Sequence, residues 1–327
     1  MPDRVEPVSG DQIRSILNFA FGDAAAASVR PLTGGSINST FQVDLRDQST
    51  VILRIAPSAA VAASGPSWLT PSGLRREQAV IALARPALGS LLPRTIASDF
   101  DHTLIDRDWI IQERMPGVPF STVDTTLPSE ERAAVWIELG QLTRRLHATT
   151  GACFGAPIAG PRFDRLSDLL RNDADGLLDD AGRFDLPTAL FRRIRDRIDE
   201  LEDIFDDNPG PRLVHSDLAR SHVFVDRDSP GHYRVSGIID LEFGRFADPR
   251  FERLITSFQW GNAPVEMKEA FFAGYGRHFG SPEDRLCLRV YVALALAWSA
   301  TILAFHDRRE SLQGVIGQME EALARSE

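Results

Sequence analysis

The sequence predicts an α+β protein of two lobes, a small β-rich one over residues 1–116 and a larger, mostly helical one over residues 117–327. Three observations carry this. Apolar residues recur with period two in the first third of the chain, and with helical period after Pro116-Gly117. A chain of 327 residues with 43% hydrophobic content is also long enough to bury more than one core.

The first element is a short amphipathic helix over Ile13 to Phe21. The period-two segments Thr40 to Leu45 and Thr50 to Ala56 follow, with the turn-forming Arg46-Asp47-Gln48-Ser49 between them, so they form an antiparallel hairpin. A Pro/Gly/Ser-rich loop over Pro57 to Gly73 leads to a helix from Leu74 to about Arg85, stopped by Pro86. Two more strands fall around Arg94 to Asp99 and Asp108 to Met115. Beyond Gly117, Val135, Leu139, Leu142 and Leu146 mark a helix over Ser129 to His147 with Ser129 as its N-cap. Phe163 to Leu178 and Pro187 to Phe205 are the next helices. Short strands return at Arg212 to Val214, Val223 to Val225 and Tyr233 to Ile239, and the chain is helical again from about Arg250.

A formal net charge of −10 argues against nucleic-acid binding through a basic surface and agrees with small cationic ligands, or with acidity that serves solubility alone. Cys153 and Cys287 are the only cysteines, far apart and outside any C-x-x-C spacing, which gives neither a disulfide framework nor a zinc site. Met1 to Asp11 lacks the basic start and apolar run of a signal peptide, and the apolar run Val290 to Phe305 is short for a bilayer and carries Ser299 and Thr301. A cytoplasmic protein with no membrane partner is the expectation. Lys268 is the only lysine, so a basic residue required elsewhere must be arginine or histidine.

The chemistry concentrates in L-V-H-S-D-L-A-R-S-H, Leu213 to His222, and in G-I-I-D, Gly237 to Asp240. Asp217 in a loop, His222 five residues on and Asp240 at the end of the next hairpin can converge on one point, which suits a divalent cation beside a phosphate. The same residues would also suit a polar turn with Asp217 capping backbone amides. Upstream, Gly34-Gly35-Ser36 and Asn38 precede a strand, where paired glycines can hold positive φ and expose N–H groups to phosphate; an ordinary glycine turn reads the same way. Strand alternation turns Arg54 to the face opposite Val51, Leu53 and Ile55. Glu77 falls within the inward row Leu74, Ile81 and Ala84, so Arg54 is its economical partner; pairing with Arg75 or Arg76 on a solvated face is the alternative.

Taken in order, G-G-S-I-N-S-T-F at Gly34 to Phe41, V-I-L-R-I at Val51 to Ile55, R-R-E at Arg75 to Glu77, Q-E-R-M-P-G at Gln112 to Gly117, H-S-D-L-A-R-S-H at His215 to His222, and G-I-I-D with Asp248-Pro249 resemble the protein-kinase-like fold. The closer resemblance is to the aminoglycoside phosphotransferase family of small-molecule kinases, and His222 with G-I-I-D resembles its 2″-phosphotransferase branch. The resemblance implies that Asp217 is the catalytic aspartate and that Asp240 and His222 hold Mg²⁺. It implies that Gly34, Gly35, Ser36, Asn38, Arg54 and Glu77 surround the phosphates of ATP or GTP, and that backbone groups of Glu113 and Met115 hold the purine. Two residues depart from the usual pattern. Arg54 stands where lysine is common, and arginine binds phosphate as a planar fork. His222 stands where most relatives have asparagine, and imidazole suits softer ions such as Mn²⁺ better than Mg²⁺.

The acceptor expected from the resemblance is an aminoglycoside or a similar small-molecule alcohol, with choline, homoserine or a macrolide as the alternative. Glu242 and the acids between Asp164 and Asp185 would meet a cationic one, and a solvated acidic surface is the other reading of most of them. A nucleotide-binding pseudokinase is the alternative function. A protein kinase is disfavoured by His215-Ser216-Asp217 in place of H-R-D and by the lack of an A-P-E segment after Asp240.

Overall fold

The computed structural model describes residues 5–23, 25–32, 35, 37–229, 232–260 and 264–324. Ser9 and Gln12 form a capping box that starts helix α1 at Gly10–Phe21, a turn earlier than the apolar period indicates. Its Ile16 and Leu17 pack on Val43, Leu53, Ile55, Trp109 and Ile111 of a five-stranded antiparallel sheet. The strands are β1 (Ala26–Pro31), β2 (Ser39–Leu45), β3 (Thr50–Ile55), β4 (Thr95–Asp99) and β5 (Trp109–Glu113), in the order β1-β2-β3-β5-β4. The hairpin pairs Ser39 with Ile55 and Asp44 with Thr50, as its turn requires. Strand β1 was not legible because it is an edge strand, almost wholly exposed, with no alternation to read.

The expected loop after β3 contains a helix, α2 (Ala59–Ser64), capped by the Ser58 side chain. Helix α3 runs Gly73–Leu88 and passes through Pro86. Pro86 falls in the last turn, and the carbonyl it leaves unbonded, that of Ala82, is on an exposed residue, so the expected stop comes three residues late. Between α2 and α3 the chain crosses to the helical region. Ser67 gives its backbone N–H and its hydroxyl to Asp180 Oδ2, each at 2.8 Å, and Trp68 Nε1 donates to Thr301 Oγ1 at 3.0 Å.

The rest of the chain is mostly helical. It comprises α4 (Phe120–Val123), α5 (Ser129–His147), α6 (Leu166–Arg183), α7 (Thr188–Glu200), α8 (Glu202–Asp206), α9 (Arg253–Trp260), α10 (Val265–Tyr275), α11 (Pro282–Phe305) and α12 (Arg309–Ala324). Ser129 is the first helical residue of α5 and Pro128 its cap, one position off the expectation. The helix expected over Pro187 to Phe205 breaks at Leu201 into α7 and α8. Helix α11 begins at a Ser281/Asp284 capping box. At 24 residues it is long and apolar enough to cross a membrane, contrary to the short run read from the sequence. Its Tyr291, Ala293, Leu294, Ala297 and Ala300 are instead fully buried in the core beside Leu170, Ile194 and Phe205.

Two small antiparallel sheets carry the loops of interest. One joins β6 (Val118–Pro119), β10 (Val223–Ser229) and β11 (His232–Ile238); the other joins β7 (Phe154–Gly155), β8 (Arg162–Phe163), β9 (Arg212–Val214) and β12 (Arg245–Ala247). Strand β9 delivers the chain into the Asp217 loop. Val223 of β10 pairs with Ile238 of β11, so Asp217 and Asp240 emerge at the same end. Gly117 enters this region at φ 81°, where a Cβ would lie 2.1 Å from the Val225 carbonyl oxygen, so no other residue fits that passage.

Candidate active site

Arg54, from the middle of the sheet, reaches three carboxylates. It donates from Nη1 to Glu77 Oε2, from Nη2 to Asp240 Oδ1 at 2.8 Å, and approaches Glu242 Oε2 at 3.5 Å. Glu77 is fully buried, so the inward row on α3 holds and the solvated alternative does not. One guanidinium facing three carboxylates leaves an excess of negative charge. Burial pushes the Glu77 carboxyl up to about 7 against the pull of Arg54. Burial and the neighbouring Asp240 raise Glu242. Burial also disfavours charge on Asp240, but the neighbouring Arg54 guanidinium opposes it and holds that carboxyl below its usual range.

His222 bridges the two aspartates. Its Nδ1 lies 2.8 Å from the Asp217 carbonyl oxygen, which can only accept, so Nδ1 carries the proton and Nε2 keeps its lone pair. That lone pair faces Asp240 Oδ2 at 3.5 Å. Ligand atoms of Asp217, His222 and Asp240 all lie within 4.8 Å of one another. Two electron-pair donors facing each other want a cation between them, and a ring nitrogen oriented by a carbonyl on its other side is how metal-binding imidazoles are usually held.

The loop backbone is itself unusual. Ser216 and Asp240 both adopt left-handed conformations, at φ 66° and 68°, without being glycine. Such positions cost on the order of 1–3 kcal/mol each and gather where side chains must be aimed. Buried His215 locks the turn: Asp217 N–H donates to its Nδ1 at 3.3 Å, so its Nε2 carries the proton and donates to the Ile239 carbonyl at 3.0 Å. Beneath it Glu252, fully buried, accepts from the His215 and Leu218 amides at 2.9 and 3.3 Å and from His147 Nε2 at 3.4 Å. Burial alone would raise Glu252, but the His147 hydrogen bond and the hydrogen bond from the His215 amide oppose it, and the carboxyl is lowered. Arg220 is tied to buried Asp124. Asp248 accepts from Arg250 Nε at 2.8 Å and from the Tyr291 hydroxyl at 3.0 Å, so Asp248-Pro249 is a buried brace.

The other expected residues fall as follows. Gly34 and Ser36 lie outside the described residues. Gly35 does not take the positive φ anticipated for it, and a Cβ there would meet only the Asn38 carbonyl, at 3.6 Å. Asn38 is buried and donates from Nδ2 to Glu242 Oε2 at 2.7 Å. Glu242 was expected at the acceptor; its carboxylate is 4% exposed and turned to Asn38 and Arg54. Glu113 ends β5 and pairs with Arg94 on the surface. Met115 follows, buried, and its backbone N–H has no protein acceptor among the described residues. Its side chain presses on Gly237, where a Cβ would lie 2.8 Å from Met115 Cβ, so the glycine of G-I-I-D is required by the Met115 contact.

Two site residues escaped sequence reading. Arg253 donates from Nη1 to Asp217 Oδ1, and Glu252 organises the loop as described. The only signal was the run F-E-R after Asp248-Pro249, which offers charge but no periodicity.

A buried pair of a sheet arginine and a helix glutamate, facing two loop aspartates joined by a histidine, defines a kinase-like phosphotransferase. The model of the phosphotransferase enzyme family matches residues 28–290, and the chain belongs to that family. No curated protein matches it. Among solved structures it is similar to a GDP and kanamycin complex of an APH(2″) enzyme, at TM-score 0.68 and 15% identity over 96% of this chain and 98% of that one. It is also similar to a thermostable mutant of aminoglycoside phosphotransferase APH(4)-Ia in apo form, at 0.67 and 18% over 95% and 98%. A streptomycin–ATP–APH(2″)-IIa ternary complex follows at 0.63 and 16% over 96% and 97%. The fold is therefore that of the aminoglycoside phosphotransferases, and the chain is a phosphotransferase enzyme.

Proposed function

We propose that the protein transfers the γ-phosphoryl group of ATP or GTP to a hydroxyl of a small-molecule alcohol. The observation that carries this is the convergence of Asp217, His222, Asp240 and Arg54. The hydroxyl oxygen forms a bond to the γ-phosphorus, the bond to the β–γ bridging oxygen breaks, the hydroxyl proton passes to Asp217, and the nucleoside diphosphate leaves. Residues 1–116 act as the nucleotide lobe and residues 117–327 as the catalytic and acceptor lobe. Arg54, held by Glu77, contacts phosphate; the loop of Gly34, Gly35, Ser36 and Asn38 covers it; Glu113 and Met115 present backbone groups to the base.

The donor set fits a divalent cation. Nε2 of His222 and the carboxylate of Asp240, both close to Asp217, would hold Mg²⁺, which when bound neutralises phosphate charge, and Asp217 stays free for the acceptor hydroxyl. Aminoglycosides are the first acceptors to try, because kanamycin, hygromycin B and streptomycin are named in the complexes of structural neighbours. Both cysteines are unpaired, which supports a cytoplasmic setting.

A second reading, a nucleotide-binding module without turnover, is favoured by one contact, Arg253 on Asp217. One experiment separates the two: a coupled phosphorylation screen of aminoglycosides, macrolides and metabolite alcohols with ATP and GTP in parallel. Metal-dependent turnover that is lost in Asp217→Asn while nucleotide binding persists supports the kinase; undiminished turnover in that variant ends the assignment of Asp217.

A further inference from the structure

The cavity beside Asp217 carries information about the acceptor that rests on the phosphotransfer reading above. It holds about 1040 Å³ and extends from Asp217 between α6 and α11 toward Trp68. That is the size of a pocket for a drug-sized molecule. Much of its wall is apolar, with Trp68, Phe243, Leu296, Trp298 and Ile302 facing it.

The charges on that wall do not suit a polycation. Its two inner carboxylates are both taken: Asp173 accepts from Arg245 Nη1 at 2.7 Å, and Asp217 accepts from Arg253. At the rim, Asp175 is exposed and bonded to Arg195 at 2.8 Å, and Asp179 is exposed, where an ion pair contributes little. Acids expected to meet ammonium groups are thus committed elsewhere: Asp168 to Arg171, Asp180 to Ser67 and Arg183, and Glu242 to Asn38 and Arg54.

The third arginine of the wall has no such partner. Arg76 gives its Nε–H to the Glu242 carbonyl and lies over the Phe243 ring at 5.5 Å; the Glu242 carboxylate attracts it from beyond ion-pair distance and is bonded to Asn38 instead. Arg245 is 9% exposed and keeps Nε and Nη2 without an acceptor, so its charge adds to the same field. On the inner wall three guanidiniums stand against two carboxylates, with exposed Asp179 and Asp175, the latter paired to Arg195, at the rim. A planar guanidinium there matches a carboxylate as a two-pronged donor.

We propose that the acceptor is an amphipathic hydroxy acid: an apolar carbon body against the aromatic wall, a hydroxyl presented to Asp217, and a single carboxylate read by Arg76. The carboxylate is a handle and does not react. The hydroxyl takes the phosphoryl group and yields its proton to Asp217, with nucleoside diphosphate as the other product.

The test uses the full chain with Mg²⁺ and ATP or GTP, and product detection by mass spectrometry. The acceptors are 12-hydroxydodecanoate, 4-(hydroxymethyl)benzoate, the methyl ester of each, and kanamycin. The expected result is a kcat/KM for at least one acid about ten-fold or more above its own ester, the effect of one charged hydrogen-bonded contact. In Arg76→Gln that ratio falls toward one, and in Arg76→Lys it is partly kept. Esters turned over as fast as acids, kanamycin outrunning both, or Asp217-dependent nucleotide hydrolysis without transfer to the acids would each overturn this inference and leave the phosphotransfer reading standing. No transfer to any acceptor, with no nucleotide hydrolysis dependent on Asp217, removes that reading and the inference with it.

Discussion

Arg253 donates from Nη1 to Oδ1 of Asp217, so the carboxylate proposed to take the acceptor's proton already has a cation against it. The Arg253 side chain is 51% exposed, and ion pairs at such positions are worth about 0–1 kcal/mol. Arg253→Ala should therefore shift the denaturation midpoint little. Asp217→Asn should reduce turnover by roughly 10²–10⁴-fold, the usual span for a positioned acid or base. Steady-state rates and urea titrations of both variants check this; a large stability loss on removing Arg253 would mean that it supports the fold.

Arg54 is a different case, because it is buried among three acids. Arg54→Met leaves Glu77, Asp240 and Glu242 uncompensated and should cost about 3–5 kcal/mol of stability, the range for breaking a buried pair from one side. The double variant Arg54→Met/Glu77→Leu should recover part of that loss in chemical denaturation.

For His222, the expected signature is in the metal dependence. With Nδ1 donating to the Asp217 carbonyl and Nε2 facing Asp240, His222→Ala should raise the half-saturating Mg²⁺ concentration about 10–100-fold. A metal titration of the nucleotide-dependent reaction measures it, with Mn²⁺ in parallel. An unchanged titration would remove His222 from the cation site even if the variant remained active.

Glu252 ties stability to acid pH. Its folded-state pKa lies below its ordinary 4.5, so the carboxylate contributes stability that is fully present above about 4.5 and is lost as pH falls through the folded value. Unfolding free energies measured across that acid range should slope upward with pH, and Glu252→Gln should flatten part of the slope. The histidines it faces, His147 and His215, remain in both proteins, so the difference between the two curves reports Glu252 together with its coupling to them.

Gly237→Ala places a methyl group 2.8 Å from Met115 Cβ. Overpacking of this kind costs about 1–3 kcal/mol, and here it would also displace the segment proposed to hold the purine. Weaker nucleotide binding out of proportion to the loss of stability, measured by calorimetry, is the expected outcome.

Residues whose direction follows from local periodicity were legible in the sequence. Arg54 is turned by strand alternation and Glu77 by the helical row, and the two meet. Asp217 and Asp240 were legible because one hairpin returns the chain to the same end of a sheet. Glu252 and Arg253 follow a short turn at Pro249–Phe251, where no period fixes a side chain and only packing beneath the loop gives them their roles. The direction of Glu242 was not legible for the same reason: the turn at Leu241–Phe243 starts from a left-handed Asp240 and carries the Glu242 carboxylate toward Arg54. Helix α2 was hidden by composition, since its alanines sit within a Pro/Gly/Ser-rich run.

The bonds of Ser67 to Asp180 and of Trp68 to Thr301 stitch a segment of the first third of the chain onto α6 and α11, and both residues line the cavity beside Asp217. A rotation that swings the five-stranded sheet away from the helices must stretch this seam or carry it along. The cavity therefore has a wall built from both regions of the chain, and its shape depends on the contacts that hold Ser67 and Trp68 to the helices.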